Sequence, residues 1–194
     1  MPMSLRSLLT LTLLAGTMTA CRKKPEPAPA PAPVQPAPAP APRVNQDSID
    51  AAARAAAEDA ERRAMAAAIE AARAALTAPI FFDYDQSDLR DDARATLESK
   101  VPVLNANPAI RLRIAGHTDE RGSDEYNLAL GQRRAAAARR YLESRGIAAS
   151  RIDIVSFGEE RPIAQGSSES AYAQNRRDEF EIIAGGDQLR PVGR

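Results

Sequence analysis

Asp119, Arg134 and the chain's one histidine, His117, fall within a single stretch, GHTDERGSDEYNLALGQRR, running from Gly116 to Arg134. Two chemistries suit these residue types. His117, with Asp119 close in sequence, could serve as a base or a ligand. A carboxylate and a guanidinium facing one cleft would instead hold a molecule carrying both an ammonium and a carboxylate. Arginine offers a planar two-pronged fork to the carboxylate, and aspartate accepts from the ammonium. Such a site rejects plain acids and plain amines, because either leaves one buried partner unpaired.

The catalytic reading lacks parts. Residues two apart on a strand point the same way, so His117 and Asp119 can form a plain hydrogen-bonded pair. There is no GxSxG elbow, and one histidine cannot supply a usual zinc set. Gly116 and Gly122 make no dinucleotide fingerprint, and no Walker-type loop exists. The expectation is a protein that is not an enzyme and uses no cofactor or metal. Within the binding reading one alternative stays open: a direct Asp119–Arg134 salt bridge with no ligand, which spacing alone does not separate from a shared cleft.

The elements that must position these residues follow from periodicity. IFFDYD reads as a strand, and Ser87 is placed to cap a helix through Leu89, Ala93 and Leu97 towards Leu104, with Pro102 ending or kinking it. IRLRIAGH alternates, with Ile110, Leu112 and Ile114 on one face, and reads as a half-buried strand leading into the polar turn. The next helix carries Leu128, Gly131, Ala135, Ala138 and Leu142 on its apolar side and stops at Gly146. RIDIVSFG and DEFEIIAG read as two further strands, and GDQLRPVGR as a tail. The order β-α-β-α-β-β is enough for one modest core on one side of a sheet.

The first part of the chain has a different composition. MPMSLRSLLTLTLLAGTMTAC carries Arg6, then an apolar run from Leu8 to Ala15 too short for a stable membrane span, then small residues ending at Cys21. MTAC resembles a bacterial lipobox, which makes the chain's sole cysteine a lipid acceptor. Several acyl chains there would anchor stably where one would not. Arg22 and Lys23 follow, with no aspartate after the cysteine, which favours an outer-membrane destination. From Pro25 to Pro42 proline alternates with alanine, a semi-rigid spacer that at ~3.1 Å per residue reaches roughly 55 Å. An alanine-rich segment with Asp50, Arg54, Glu58 and Arg62 at i,i+4 spacing then reads as a solvated helical rod capped by Asp47 or Ser48. The expected divisions are a signal segment 1–20, lipidated Cys21 and linker 21–45, alanine-rich helix 46–78, folded domain 79–186 and tail 187–194. With 26 basic against 26 acidic side chains and no tryptophan, the chain lacks the footprint of a nucleic-acid binder.

TDERG, LGQRR and NRR occur in this order within GHTDERGSDEYNLALGQRRAAAARRYLESRGI, VSFGEERPIA and SAYAQNRR. Over about Ile80 to Ile183 the chain thereby resembles the OmpA-like peptidoglycan-binding domain, and the lipobox agrees with the lipoproteins of that family. The resemblance implies an α/β (α+β) sandwich, a β-α-β-α-β-β mixed sheet with helices on one face, preceded by a disordered Pro/Ala linker and the alanine-rich helix. Its implied ligand is the free end of meso-diaminopimelate in the peptidoglycan stem peptide, with Asp119 on the ammonium and Arg134 on the carboxylate. Tyr84 and Asp85 of FDYD would line the same cleft. Asn127, Leu128 and Leu130 would pack and shape it, Arg176 and Arg177 would brace it through acidic neighbours, and His117 and Thr118 would support its rim. The implied role is a tether between outer membrane and cell wall, facing the periplasm, with the propeller protein of the Tol system as a further partner. The rival is a module that binds only another envelope protein. Three features depart from the family pattern: the length of spacer and rod, Pro102, and the two acids of RRDEFEI.

Overall fold

The computed structural model describes residues 45–193; the signal segment, Cys21 and the Pro/Ala spacer lie outside the described residues. Helix α1, Gln46–Thr77, forms because alanine gives up no side-chain entropy in a helix. Its cap is Asn45, whose side chain accepts from the Asp47 N–H at 3.2 Å, so neither Asp47 nor Ser48 has that role. Most of α1 is exposed, as a rod would be. Its last turns are not: Ala72 and Leu76 are buried in the core, Ile69 packs against them, and Arg73 donates to the Gly186 carbonyl at 3.0 Å. The rod expectation is corrected there. Ile69, Ala72 and Leu76 recur on one face, and that short stripe is enough to dock the helix end.

Strand β1 is only Ile80–Phe81, shorter than IFFDYD suggests. The Phe82 N–H still bonds the Arg176 carbonyl at 3.0 Å, and the chain then turns at Tyr84 and Asp85, the latter with φ 56°. Helix α2, Asp91–Ala106, starts after Arg90 without a side-chain cap, so Ser87 does not serve. Asp91 and Asp92 instead complement the positive end of its dipole. The helix runs on through Pro102 rather than stopping, with Val103 and Leu104 still on its buried face.

Strand β2, Arg111–His117, lies at the centre of the hydrogen-bonding pattern, parallel to β3, Ile152–Gly158, and antiparallel to β4, Arg177–Ala184. The sheet order is β1-β4-β2-β3, a mixed sheet as expected. Helix α3, Asp124–Ser144, is capped by Ser123, whose side chain accepts from the Tyr126 N–H; Gly146, at φ 89°, follows its end. Its buried face is Leu130, Ala135, Ala138 and Leu142 together with Asn127 and Arg134, while Leu128 is 49% exposed and not part of the core face. A helix not expected from the sequence, α4 (Glu169–Asn175), precedes β4. The C-terminal residues are docked rather than a free tail: Leu189 is buried, and the Arg190 N–H donates to Asn107 Oδ1 at 2.8 Å. Among the described residues no helix is long and apolar enough to cross a membrane.

Two glycines set the distance between α3 and the sheet. A Cβ on Gly116 would overlap the Gly131 carbonyl, and one on Gly131 would meet Ser156 Oγ and, at 2.9 Å, the Gly116 carbonyl. Lacking both, helix and strand backbones touch, which brings the polar turn after β2 beside the first half of α3.

Candidate functional site

Arg134 is fully buried and held on three sides. Its Nε donates to the Gln86 carbonyl at 2.8 Å, Nη1 to the His117 carbonyl at 2.8 Å and Nη2 to the Asp83 carbonyl at 3.1 Å, while the guanidinium lies 5.0 Å from the Phe82 ring centroid. Burial pushes its pKa down to about 10, opposed by Asp178. A guanidinium has five N–H donors. The backbone takes three and fixes the plane of the fork; the others remain for whatever enters the cleft that Arg134 lines.

Asp119 sits in the turn leaving β2 and is 4% exposed. Its Oδ1 accepts from the Arg121 N–H and Nε, each at 3.1 Å; its Oδ2 accepts from Arg121 Nη2 at 2.6 Å and Arg176 Nη1 at 3.1 Å. Burial works against the charge, yet the hydrogen bonds from Arg121 and Arg176 outweigh it and hold the carboxyl below its ordinary range. The direct Asp119–Arg134 salt bridge that spacing left open is not made among the described residues: the arginines on Asp119 are Arg121 and Arg176.

Asp119 and Arg134 line one cleft of about 120 Å³. Of the residues expected there, Tyr84, Asp85, Thr118, Asn127, Leu130 and Arg176 join them. Asp85 accepts from the Tyr126 hydroxyl, and Asn127 donates to the Arg121 carbonyl at 3.3 Å. Arg176 braces the site as expected, through Asp119, Glu169 and the Phe82 carbonyl. Thr118 is 3% exposed, and its hydroxyl has no hydrogen-bond partner among the described residues.

Three expected residues are elsewhere: Leu128 is exposed and does not line this cleft, and His117 and Arg177 lie apart from it. His117 is buried with its ring 5.5 Å from that of Phe157, and burial, with Arg177 adding to it, pushes its pKa down to about 4. Arg177 pairs with Glu179 at 2.6 Å and donates to the Arg161 carbonyl. Alternation along a strand explains both, since neighbouring residues face opposite sides of the sheet. Arg177 therefore braces the region around His117 and does not line the cleft.

Three cleft residues had no assigned role in the sequence reading: Arg121, Gly122 and Tyr126. The signal for Arg121 was present, since a carboxylate bonding the N–H two residues on is the mark of an Asx turn. Its guanidinium lies 4.0 Å from the Tyr84 ring centroid and 4.3 Å from that of Tyr172, a residue of the unexpected α4. Behind the cleft, Asp178 is fully buried, and neither of its oxygens has a partner among the described residues. Burial raises its pKa well above the ordinary carboxyl value, with Arg134 opposing.

The model of the OmpA family matches residues 81–176. The chain is 48% identical over 109 residues to the peptidoglycan-associated lipoprotein of Pseudomonas putida, covering 55% of this chain and 65% of that one. It thus spans just under two thirds of that curated relative's length. A crystal structure of the peptidoglycan-associated lipoprotein from Burkholderia pseudomallei superposes with a TM-score of 0.52 at 42% identity, over 53% of this chain and 86% of that one. The C-terminal domain of Helicobacter pylori MotB shares the fold, with a TM-score of 0.51 at 21% identity over 57% of this chain and 88% of that one.

Proposed function

Because this chain belongs to the OmpA family, we propose that it is an outer-membrane lipoprotein whose periplasmic domain binds peptidoglycan noncovalently. The ligand in this reading is the free end of meso-diaminopimelate, which carries an ammonium and a carboxylate on one carbon. Asp119 accepts from the ammonium, and Arg134 presents its remaining N–H donors to the carboxylate. The observation that carries the reading is that the two side chains line one cleft without bonding to each other, each fixed by other groups. The unpartnered Thr118 hydroxyl supports it, since a buried polar atom without a partner costs free energy that a polar ligand relieves. Lipid on Cys21 holds the other end in the membrane, and spacer and rod give the domain reach. Many weak contacts to a polymeric wall then add up to a stable hold. The propeller protein of the Tol system is a second partner in this reading.

The test is co-sedimentation of the full chain, carrying Cys21→Ser to remove lipid adhesion, with purified peptidoglycan sacculi. Asp119→Asn and Arg134→Lys are compared with it, each checked for fold by circular dichroism. The expected result is sedimentation by the parent and loss in both folded variants. Undiminished binding by both would refute the clamp. Absence of binding by the parent would favour a module that recognises another envelope protein.

A further inference from the structure

Asp119 has no vacant acceptor position. A carboxylate offers about four lone-pair sites, and N–H groups already fill them: the Arg121 backbone N–H and Nε on Oδ1, Arg121 Nη2 and Arg176 Nη1 on Oδ2. An incoming ammonium therefore cannot simply add to Asp119; it has to replace a donor. The backbone N–H is fixed by the turn. Arg176 is pinned, its side chain 8% exposed and its Nε tied to the Phe82 carbonyl at 3.1 Å. The Arg121 side chain is 32% exposed, and apart from Asp119 it is held only by Glu169 at 3.3 Å and by two ring faces.

We propose that Arg121 is a built-in competitor for the ligand's cation, occupying Asp119 in the empty cleft and yielding it when an ammonium arrives. The inference rests on the binding reading above. On release, the guanidinium keeps Glu169 and the Tyr172 ring as partners, both on α4, so its charge is not stranded. The exchange trades one cation for another at Asp119 and by itself contributes little net binding. The driving force must come from the carboxylate that lands on Arg134 at the same moment. A plain amine lacks that second contact and cannot evict Arg121 effectively. Arg121 thus lowers the affinity of every ligand that needs Asp119 by one common factor, so that only a ligand with the second contact on Arg134 still binds well.

The test is calorimetric titration of a soluble stem peptide ending in meso-diaminopimelate into the full chain with Cys21→Ser, and into the same chain with Arg121→Gln. A simple alkylamine serves as the control ligand. With the competitor removed, the stem peptide is expected to bind about two- to fivefold tighter, the range for a partly exposed ion pair. The alkylamine should tighten by a similar factor while staying the weaker ligand. In the parent, the Arg121 Nε–H resonance should shift and exchange faster with water as ligand is added. Unchanged or weaker binding by Arg121→Gln, with the parent binding, would overturn the competitor role and leave the wall-binding reading standing. Failure of both folded proteins to bind would overturn the wall-binding reading, and this inference with it. Binding by Arg121→Gln alone would support the inference in its strongest form.

Discussion

Asp119 and Arg134 share a cleft but not a bond: Arg121 and Arg176 neutralise the first, and three backbone carbonyls hold the second. Arg134 is fixed before any ligand arrives and needs little ordering on binding, whereas at Asp119 a donor has to be exchanged.

Arg134 is therefore structural as well as a candidate ligand group. Arg134→Leu strips donors from the carbonyls of Gln86, His117 and Asp83. The expected loss is about 3 kcal/mol or more, read as a lowered urea midpoint. Arg134→Lys should lose less, because its ammonium can still serve some of those carbonyls, though not with a planar fork.

Gly116→Ala and Gly131→Ala should each be strongly destabilising, since the added methyl meets backbone or Ser156 Oγ rather than a flexible chain end. A cost of about 3 kcal/mol is expected, measured by thermal unfolding. Gly146→Ala meets no neighbouring atom within 4 Å and is strained only by its φ of 89°, so its cost should be smaller.

Lys100 joins α1 to the folded domain. Its fully buried ammonium donates to the carbonyls of Ala75, Leu76 and Ala78 at 2.8, 3.0 and 2.7 Å and lies 4.1 Å from the Phe180 ring centroid. It satisfies carbonyls that the end of a helix otherwise leaves open. Lys100→Met keeps the stem and removes the donors. Hydrogen exchange should accelerate through the last two turns of α1, and global stability should fall by about 2–4 kcal/mol. Unchanged protection of those turns would show that Ile69, Ala72, Leu76 and the Arg73 bond dock the helix without Lys100.

Acidification should weaken the fold through His117. Its folded pKa is about 4 against an ordinary 6.5, because burial favours the neutral ring. Between those values the unfolded chain takes up a proton that the folded chain refuses, so stability is lost as pH falls from 6.5 towards 4. The full effect is about 3 kcal/mol. Asp178 works oppositely: its raised pKa makes its contribution largest at low pH, lost as pH climbs through the folded value. His117→Phe should remove the acid-side loss, and Asp178→Asn the opposing slope. Comparing unfolding midpoints at pH 4.5 and pH 7 checks both.

Much of this arrangement was legible in the sequence. The alternation of Leu112 and Ile114 marked a strand with one buried face, and the spacing of Ala135, Ala138 and Leu142 marked a helix with one apolar side, because both periods are imposed by backbone geometry. Asp119 and Arg134 could be named from residue type, and six of the other expected residues line the same cleft. What could not be read depends on distance rather than period. TDERG is compatible with an Asx turn at Asp119, but nothing in it says that the Arg121 guanidinium also folds back onto that carboxylate, or that Tyr172 of α4, roughly fifty residues away, meets the same guanidinium. Leu128 misled because an apolar residue at helical spacing need not face the core.

The docking of α1 has a mechanical consequence. A pull on the chain from the N-terminal side reaches the fold first at Ile69, Ala72 and Arg73, then at Leu76 and the three carbonyls held by Lys100, and only then at β1, which pairs with β4 over two residues. Asp83, Tyr84 and Asp85 follow β1 directly, so tension that survives the helix contact is delivered to one wall of the cleft. The α1 end acts as a strain relief: it takes the load upstream, and the geometry around Arg134 stays undistorted until that contact gives way.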